Sequence, residues 1–210
     1  MNEIICKKLL ETEAVFLRPE RPFTWASGIK SPVYCDNRLI LTAPSVRDMV
    51  EQRMADLIKA EYPGCQIIMG TATAGIAHAA IAAHILNIPM GYVRASAKDH
   101  GRVNRIEGRL NVGDNVVIIE DLISTGSSAI SAANALREAG ANVLGVVSIF
   151  TYGMAGAFEN LSEASLKNIS LCDFDTLVSV AVKEGYINVT DVCTLLKFRD
   201  NPNDESWMEG

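Results

Sequence analysis

Between residues 66 and 150 short apolar runs alternate with longer segments of helical spacing. QIIMG (66–70), MGYV (90–93), VVIIE (116–120) and NVLGVVSIF (142–150) have no polar face, which predicts strands buried on both sides. IAHAAIAAHILN (76–87) reads as an alanine-rich buried helix, and SSAISAANALREAGA (127–141) as a helix closed by a glycine stop. Strand and helix in alternation predict an α/β fold with a central, mostly parallel sheet flanked by helices.

The flanks carry other patterns. Residues 2 to about 17 read as an amphipathic helix running into a short apolar piece. RPFTWASGIKSPVYCDNR (21–38), rich in Gly, Pro, Ser and aromatics, reads as a hairpin or hood. A second helix begins from Thr42, with Pro44 in its first turn. Val46, Met49, Val50, Arg53, Leu57 and Ile58 set its mostly apolar stripe, and Tyr62-Pro63-Gly64 stops it. Beyond Tyr152 the signal weakens into shorter helices, of which 173–183 looks ordinarily capped. RDNPNDESWMEG (199–210) reads as an acidic, frayed tail. No linker interrupts the chain, so a single domain over 1–210 is expected, with a hood over about 1–40, a core over about 66–152 and a flexible tail over about 200–210.

Composition narrows the class. Of 210 residues 49% are apolar and 21% charged, which is globular. No apolar run approaches the roughly 18 residues of a membrane span, and charges interrupt the N-terminal segment throughout, so neither a membrane anchor nor a signal peptide is expected. Cys6, Cys35, Cys65, Cys172 and Cys193 are odd in number, scattered and never in CxxC spacing. They predict free thiols in a reducing cytoplasm. His78 and His84 stand six apart, not at the spacing of a metal pair, and read as core or surface histidines. The net charge of −6 argues against nucleic acid as a partner. Yet the segment 92–109 carries Arg94, Lys98, Arg102, Arg105 and Arg109 against only Asp99 and Glu107. A cationic loop on an acidic chain points to a small anionic ligand.

The most informative stretch is VVIIEDLISTGSS (116–128). Glu120 and Asp121 follow an apolar strand, and two adjacent acids there are costly unless a partner meets them. Ligands of an open parallel sheet sit beyond the carboxyl ends of its strands. Ser124, Thr125, Gly126, Ser127 and Ser128 then lead to a helix N-terminus, where unpaired N–H groups and the helix dipole favour an anion. The carboxylates suit the vicinal hydroxyls of a sugar. One ligand satisfies both halves, a ribose with its diol on the acids and its 5-phosphate in the loop. No Walker lysine follows Gly126, and GxGxxG is missing. A helix merely capped by Ser127 would explain the hydroxyls but not the acids.

These residues resemble the type I phosphoribosyltransferases, whose signature is an apolar run, two acids and a Thr/Ser-Gly loop. VRASAKDHGRVNRIEG (93–108) and TWASGIKSPVYCDNR (24–38) are similar to the catalytic loop and hood of the orotate branch of that family. IEGRL, EDLISTG and IFTYG extend the likeness from about residue 20 to 153. The resemblance implies transfer of the 5-phosphoribosyl group of phosphoribosyl pyrophosphate (PRPP) to orotate. It implies that Glu120, Asp121, Leu122, Ile123, Ser124, Thr125, Gly126, Ser127 and Ser128 bind PRPP. Arg94, Lys98 and His100 would act on its pyrophosphate, reaching into the neighbouring subunit of a homodimer. Ser124, Tyr34 and Cys35 would touch orotate, and the TATAG turn (71–75) would hold pyrophosphate by backbone amides, with Gly70 and Gly75 suited to close approach. Mg²⁺ would be held through PRPP, with no protein metal site.

The chain departs from some members, which carry cations where it has Ala26, Ala95, Thr73-Ala74 and Thr151 or Tyr152. Lys30 and Arg38 become candidate substitutes, and Trp25 could line or pack the hood. The Lys-x-His-Gly loop argues against a purine-type relative, and the acidic charge against a nucleic-acid-binding PRPP sensor.

Overall fold

The computed structural model describes residues 2–25, 28–96 and 105–209. The elements run α1 (Asn2–Glu11), β1 (Val15–Leu17), β2 (Phe23–Thr24), β3 (Lys30–Ser31) and β4 (Val33–Cys35), then a 3-10 turn over Asn37–Thr42 and α2 (Pro44–Glu61). The core follows as β5 (Ile67–Thr71), α3 (Gly75–Leu86), β6 (Met90–Val93), β7 (Ile106–Glu107), β8 (Asn115–Ile123), α4 (Ser127–Glu138) and β9 (Asn142–Thr151). Then come α5 (Ala155–Glu163), β10 (Asn168–Asp173), α6 (Phe174–Lys183), α7 (Asp191–Asp200) and a 3-10 turn over Glu205–Glu209.

Among the described residues the central sheet has six strands in the order β10-β9-β8-β5-β6-β7. All its pairings are parallel except β6 with β7. The four apolar runs form β5, β6, β8 and β9 as expected, and every side chain of β5 is buried. β8, however, does not stop at the acids. Glu120 stays in register with Ser148 and Leu122 with Phe150, so the acids belong to the last turns of the ladder. β10 was not legible because Asn168, Ser170 and Asp173 break its apolar run. Its polar side chains are satisfied across the ladder: Ser148 Oγ and Ser170 Oγ lie 2.6 Å apart, and Ser148 Oγ donates to Asn168 Oδ1 at 3.0 Å.

On α2 the buried face is Val46, Val50, Glu51, Met54, Ala55 and Ile58. Met49 and Leu57 of the expected stripe are only half-buried, and Arg53 is exposed. Glu51 is in the core because His78 on α3 meets it, Nδ1 against Oε1. His78 is therefore a core histidine partnered at Nδ1, with Nε2 buried and without a hydrogen-bond partner among the described residues, while His84 is exposed.

The 21–38 segment is a hairpin, β2 on β3, with β1 antiparallel to β4 beside it. Trp25 packs the hood: its ring stacks near Tyr152 and Phe198, and its Nε1 donates to the Val33 carbonyl at 3.2 Å. In the segment read as a tail, Trp207 is 2% exposed and packs edge-on against Phe198, which anchors it.

The cysteine expectation is corrected. Cys6 on α1 and Cys172 on β10 form a disulfide, Cα atoms 5.8 Å apart across a separation of 166 residues. Cys35, Cys65 and Cys193 are free. Packing of α1 against β10 brings the two together, which no local spacing could reveal.

Candidate active site

The site is built at the carboxyl end of β8. Glu120 is 5% exposed. Its Oε1 accepts from Thr71 Oγ1 at 2.7 Å, at the end of neighbouring β5, and from the Asp121 backbone N–H at 3.1 Å. Oε2 is buried without a hydrogen-bond partner among the described residues. Burial pushes this carboxyl up to about 8, the Thr71 bond opposes that, and the charge of Asp121 adds to it. Asp121 is half-buried, and its carbonyl accepts from Asn37 Nδ2 at 2.7 Å, which ties the hood to the acid pair.

Past the acids the chain turns. Leu122 is half-buried and Ile123 buried; they complete β8 opposite Phe150 and Thr151, and the turn begins after them. Gly126 takes φ +80° at the cap position of α4, a conformation glycine adopts without steric cost. A Cβ there would lie 3.0 Å from Leu161 of α5, so the loop rests directly on that helix. Asn160 Nδ2 adds a bond to the Thr125 carbonyl at 3.1 Å. No side chain caps α4; Ser127 begins the helix instead of closing it, and its N–H makes only a 3.5 Å contact with Thr125 Oγ1. The first-turn N–H groups and the exposed hydroxyls of Thr125, Ser127 and Ser128 are thus presented to an anion. Glu120, Leu122, Ser124 and the loop to Ser128 line one small concavity, so the Glu120 carboxyl and the anion cradle open on the same side.

A second cleft of about 310 Å³ adjoins it, lined by Thr71, Arg94, Arg105, Ser127, Ser128 and Ser131. Arg94 Nη1 stands 3.8 Å from Glu107 Oε1 and has no hydrogen bond among the described residues. Lys98 and His100 lie outside the described residues. The TATAG turn contains a cis Ala72–Thr73 peptide. Gly70 at the end of β5 and Gly75 at the end of the turn are closely packed: a Cβ on Gly70 would lie 2.7 Å from the Gly75 carbonyl O, and one on Gly75 2.5 Å from that of Ile119.

The orotate candidates come from the hood. Tyr34 is 39% exposed. Burial and the nearby Asp121 carboxylate push the Cys35 thiol well up, which keeps it neutral beside the acid pair. Lys30 and Arg38 are engaged within the hood: Lys30 Nζ donates to Thr24 Oγ1 at 2.8 Å, and Arg38 is forked onto Asp36 at 2.6 and 2.8 Å. Sequence reasoning took Thr71 only as part of the TATAG turn, missing its bond to Glu120, and it missed Asn37. Register with β8 would have pointed to Thr71, but Asn37 gave no signal, since its partner is a backbone carbonyl 84 residues away.

For a metal, no cluster of three or more His, Cys, Asp or Glu side chains forms among the described residues. Two adjacent carboxylates, one with an unpartnered oxygen, are oxygen donors of the type Mg²⁺ takes. They fit an ion that brings further oxygens from its substrate.

Comparison with known proteins agrees with this geometry. The phosphoribosyl transferase domain profile matches residues 40–181. An orotate phosphoribosyltransferase of Halalkalibacterium halodurans is 52% identical over 208 residues, covering 99% of each chain. The crystal structure of orotate phosphoribosyltransferase from Aeropyrum pernix aligns with TM-score 0.75 at 29% identity, over 88% of this chain and 99% of that one. Leishmania donovani UMP synthase aligns with TM-score 0.81 at 27% identity; 94% of this chain is covered, and it spans 42% of that longer one. An acid pair and an open helix end on one strand, in a chain with these relatives, lead to one assignment: the chain belongs to the orotate phosphoribosyltransferases of the phosphoribosyl transferase family.

Proposed function

We propose that the protein transfers the 5-phosphoribosyl group of PRPP to orotate, giving orotidine 5′-monophosphate and pyrophosphate in pyrimidine biosynthesis. The observation that carries this is the shared concavity in which Glu120 and the uncapped N-terminus of α4 open side by side. The ribose diol donates to Glu120 and Asp121, while the 5-phosphate accepts from the N–H groups and hydroxyls of residues 124–128. N1 of orotate, giving up its proton to solvent, forms the bond to C1′ as the C1′–O bond breaks, the electron pair of that bond leaving with pyrophosphate. Charge grows on the leaving group, and Arg94, with Lys98 and His100 by resemblance, stabilises it more in the transition state than before. The negative charge of Asp121, beside the largely protonated Glu120, favours the cationic ribose that develops. Tyr34, Cys35 and Ser124 hold orotate against the hood side.

Mg²⁺, held through PRPP oxygens beside Glu120 and Asp121, would neutralise phosphate charge. The same reading includes a homodimer whose Arg94–His100 segment serves the partner's site. It includes no nucleic-acid or membrane partner; among the described residues no helix is long and apolar enough to cross a membrane. A cytoplasmic location rests on the family likeness, because the Cys6–Cys172 bond removes the free-thiol argument for it.

Following the ultraviolet absorbance of orotate with PRPP, with and without Mg²⁺, tests the reaction. Orotate is expected to disappear only when PRPP and Mg²⁺ are both present. Consumption of adenine or hypoxanthine instead would assign a purine base, and no turnover with any base would reject the transfer.

A further inference from the structure

β8 outruns its neighbour on one side. Its pairing with β5 ends at Gly70–Ile119, whereas its pairing with β9 continues to Ile123. Alternate carbonyls of a strand face the same edge, so those of Ile119 and Asp121 both face the β5 side. The first is met by Thr71 Oγ1, on the last residue of β5, at 3.2 Å. The second lies beyond β5 and accepts from Asn37 Nδ2 at 2.7 Å, so a side chain from the hood stands in for the missing strand. The Asp121 N–H, in turn, donates to Glu120 Oε1 at 3.1 Å. Both peptide groups that flank the Asp121 Cα are therefore pinned, and with them the direction in which its carboxylate leaves the backbone.

Asn37 is 0% exposed, and the turn that carries it is held by its own chain. The N–H of Asp36 donates to the Ala14 carbonyl at 2.7 Å, and the Asp36 carboxylate accepts from the Arg38 N–H at 3.2 Å and from the Arg38 guanidinium. Asn37 Oδ1 is buried without a hydrogen-bond partner among the described residues. A stranded acceptor weighs against stability, and an apolar side chain of the same size would avoid it. An apolar side chain could not donate to the Asp121 carbonyl. Resting on the PRPP reading above, we infer that Asn37 is a positioning residue for the ribose grip: its amide fixes the Asp121 peptide, and so holds the carboxylate where the diol meets it. A binding group that its ligand must first order gives up part of the affinity to that ordering.

The test is calorimetric titration with Mg-PRPP in the absence of orotate, run below the melting temperature of each variant. Wild type is expected to bind PRPP. No binding would overturn this role together with the ribose reading of the site, whereas binding without orotate consumption in the turnover assay would reject the transfer and leave the role standing. Asn37→Leu fills the same space without a donor and is expected to raise the Kd for PRPP by about 3- to 10-fold at unchanged stoichiometry. The loss should be no larger than that of Asp121→Asn. Asn37→Ala should act in the same direction, which keeps the test alive if Asn37→Leu folds poorly. Stoichiometry reports the folded fraction, so a merely structural residue would lower it and leave Kd alone. In an Asp121→Asn background, removing the Asn37 amide should add less than about twofold. An unchanged Kd in both Asn37 variants, a fall in stoichiometry alone, or losses that multiply in the double variant would each overturn the role.

Discussion

Glu120 shows how a side chain unfavourable to folding is kept for binding. Buried beside Asp121, with one oxygen unpartnered, it titrates near 8 instead of near 4.5. The folded protein therefore retains a proton that the unfolded chain has released. Its contribution to stability is fully present below pH 4.5 and is lost as pH rises toward 8. The slope is about 1.4 kcal/mol per pH unit where only the unfolded chain is ionised. Urea unfolding from pH 5 to 9 should show this decline in wild type and a flatter profile in Glu120→Gln. Asp121, half-buried beside Glu120, is the better isolated probe of the ribose grip. Asp121→Asn keeps shape and backbone bonds but removes the charge, and should weaken PRPP about 10-fold or more by calorimetry, in line with charge-assisted bonds worth about 1.5–3 kcal/mol. Unchanged affinity would contradict the grip.

The site depends on how elements end. β8 carries its acids within the ladder, so Thr71 of β5 can reach Glu120 and fix it. α4 begins without a side-chain cap, and Gly126 turns the chain into it at φ +80° against Leu161. Gly126→Ala should lower stability by about 1–2 kcal/mol from the left-handed conformation alone. The added methyl must also displace Leu161, 3.0 Å away. Both effects move the anion cradle, so KM for PRPP should rise while KM for orotate holds. The hood is a third such element. Its contribution is the short strand β4 and the 3-10 turn behind it, tied to β8 by the hydrogen bond from Asn37 Nδ2 to the Asp121 carbonyl.

At the scale of the molecule, the first and last thirds of the chain close the fold together. α1 packs on α6 and is joined to β10 through Cys6–Cys172, while Trp25, Tyr152, Phe174, Phe198 and Trp207 form a chain of ring contacts from hood to C-terminus. Denatured without reductant, the protein should present Cys35, Cys65 and Cys193 to a thiol reagent, and all five cysteines after reduction. Replacing Cys6 and Cys172 by alanine should lower stability by about 2–4 kcal/mol in chemical unfolding. Five reactive thiols before reduction would disprove the bond.

The sequence by itself determined the parallel core and the anion cradle. Both are written in neighbouring residues: the strands as continuous apolar runs, the cradle as two acids, a glycine and four hydroxyls over nine positions, 120 to 128. Only the tertiary structure decided which groups serve those residues. Thr71 bonds Glu120 from 49 positions away, Asn37 holds Asp121 from 84, Arg105 reaches Ser131 across 26, and Cys6 finds Cys172 across 166. β10 and the Glu51–His78 pair hid for the same reason, since polar side chains look out of place in a core until their partners are known. Local pattern records what a segment buries, whereas a hydrogen bond between distant segments has no periodicity and exists only once the sheet has set the strands side by side.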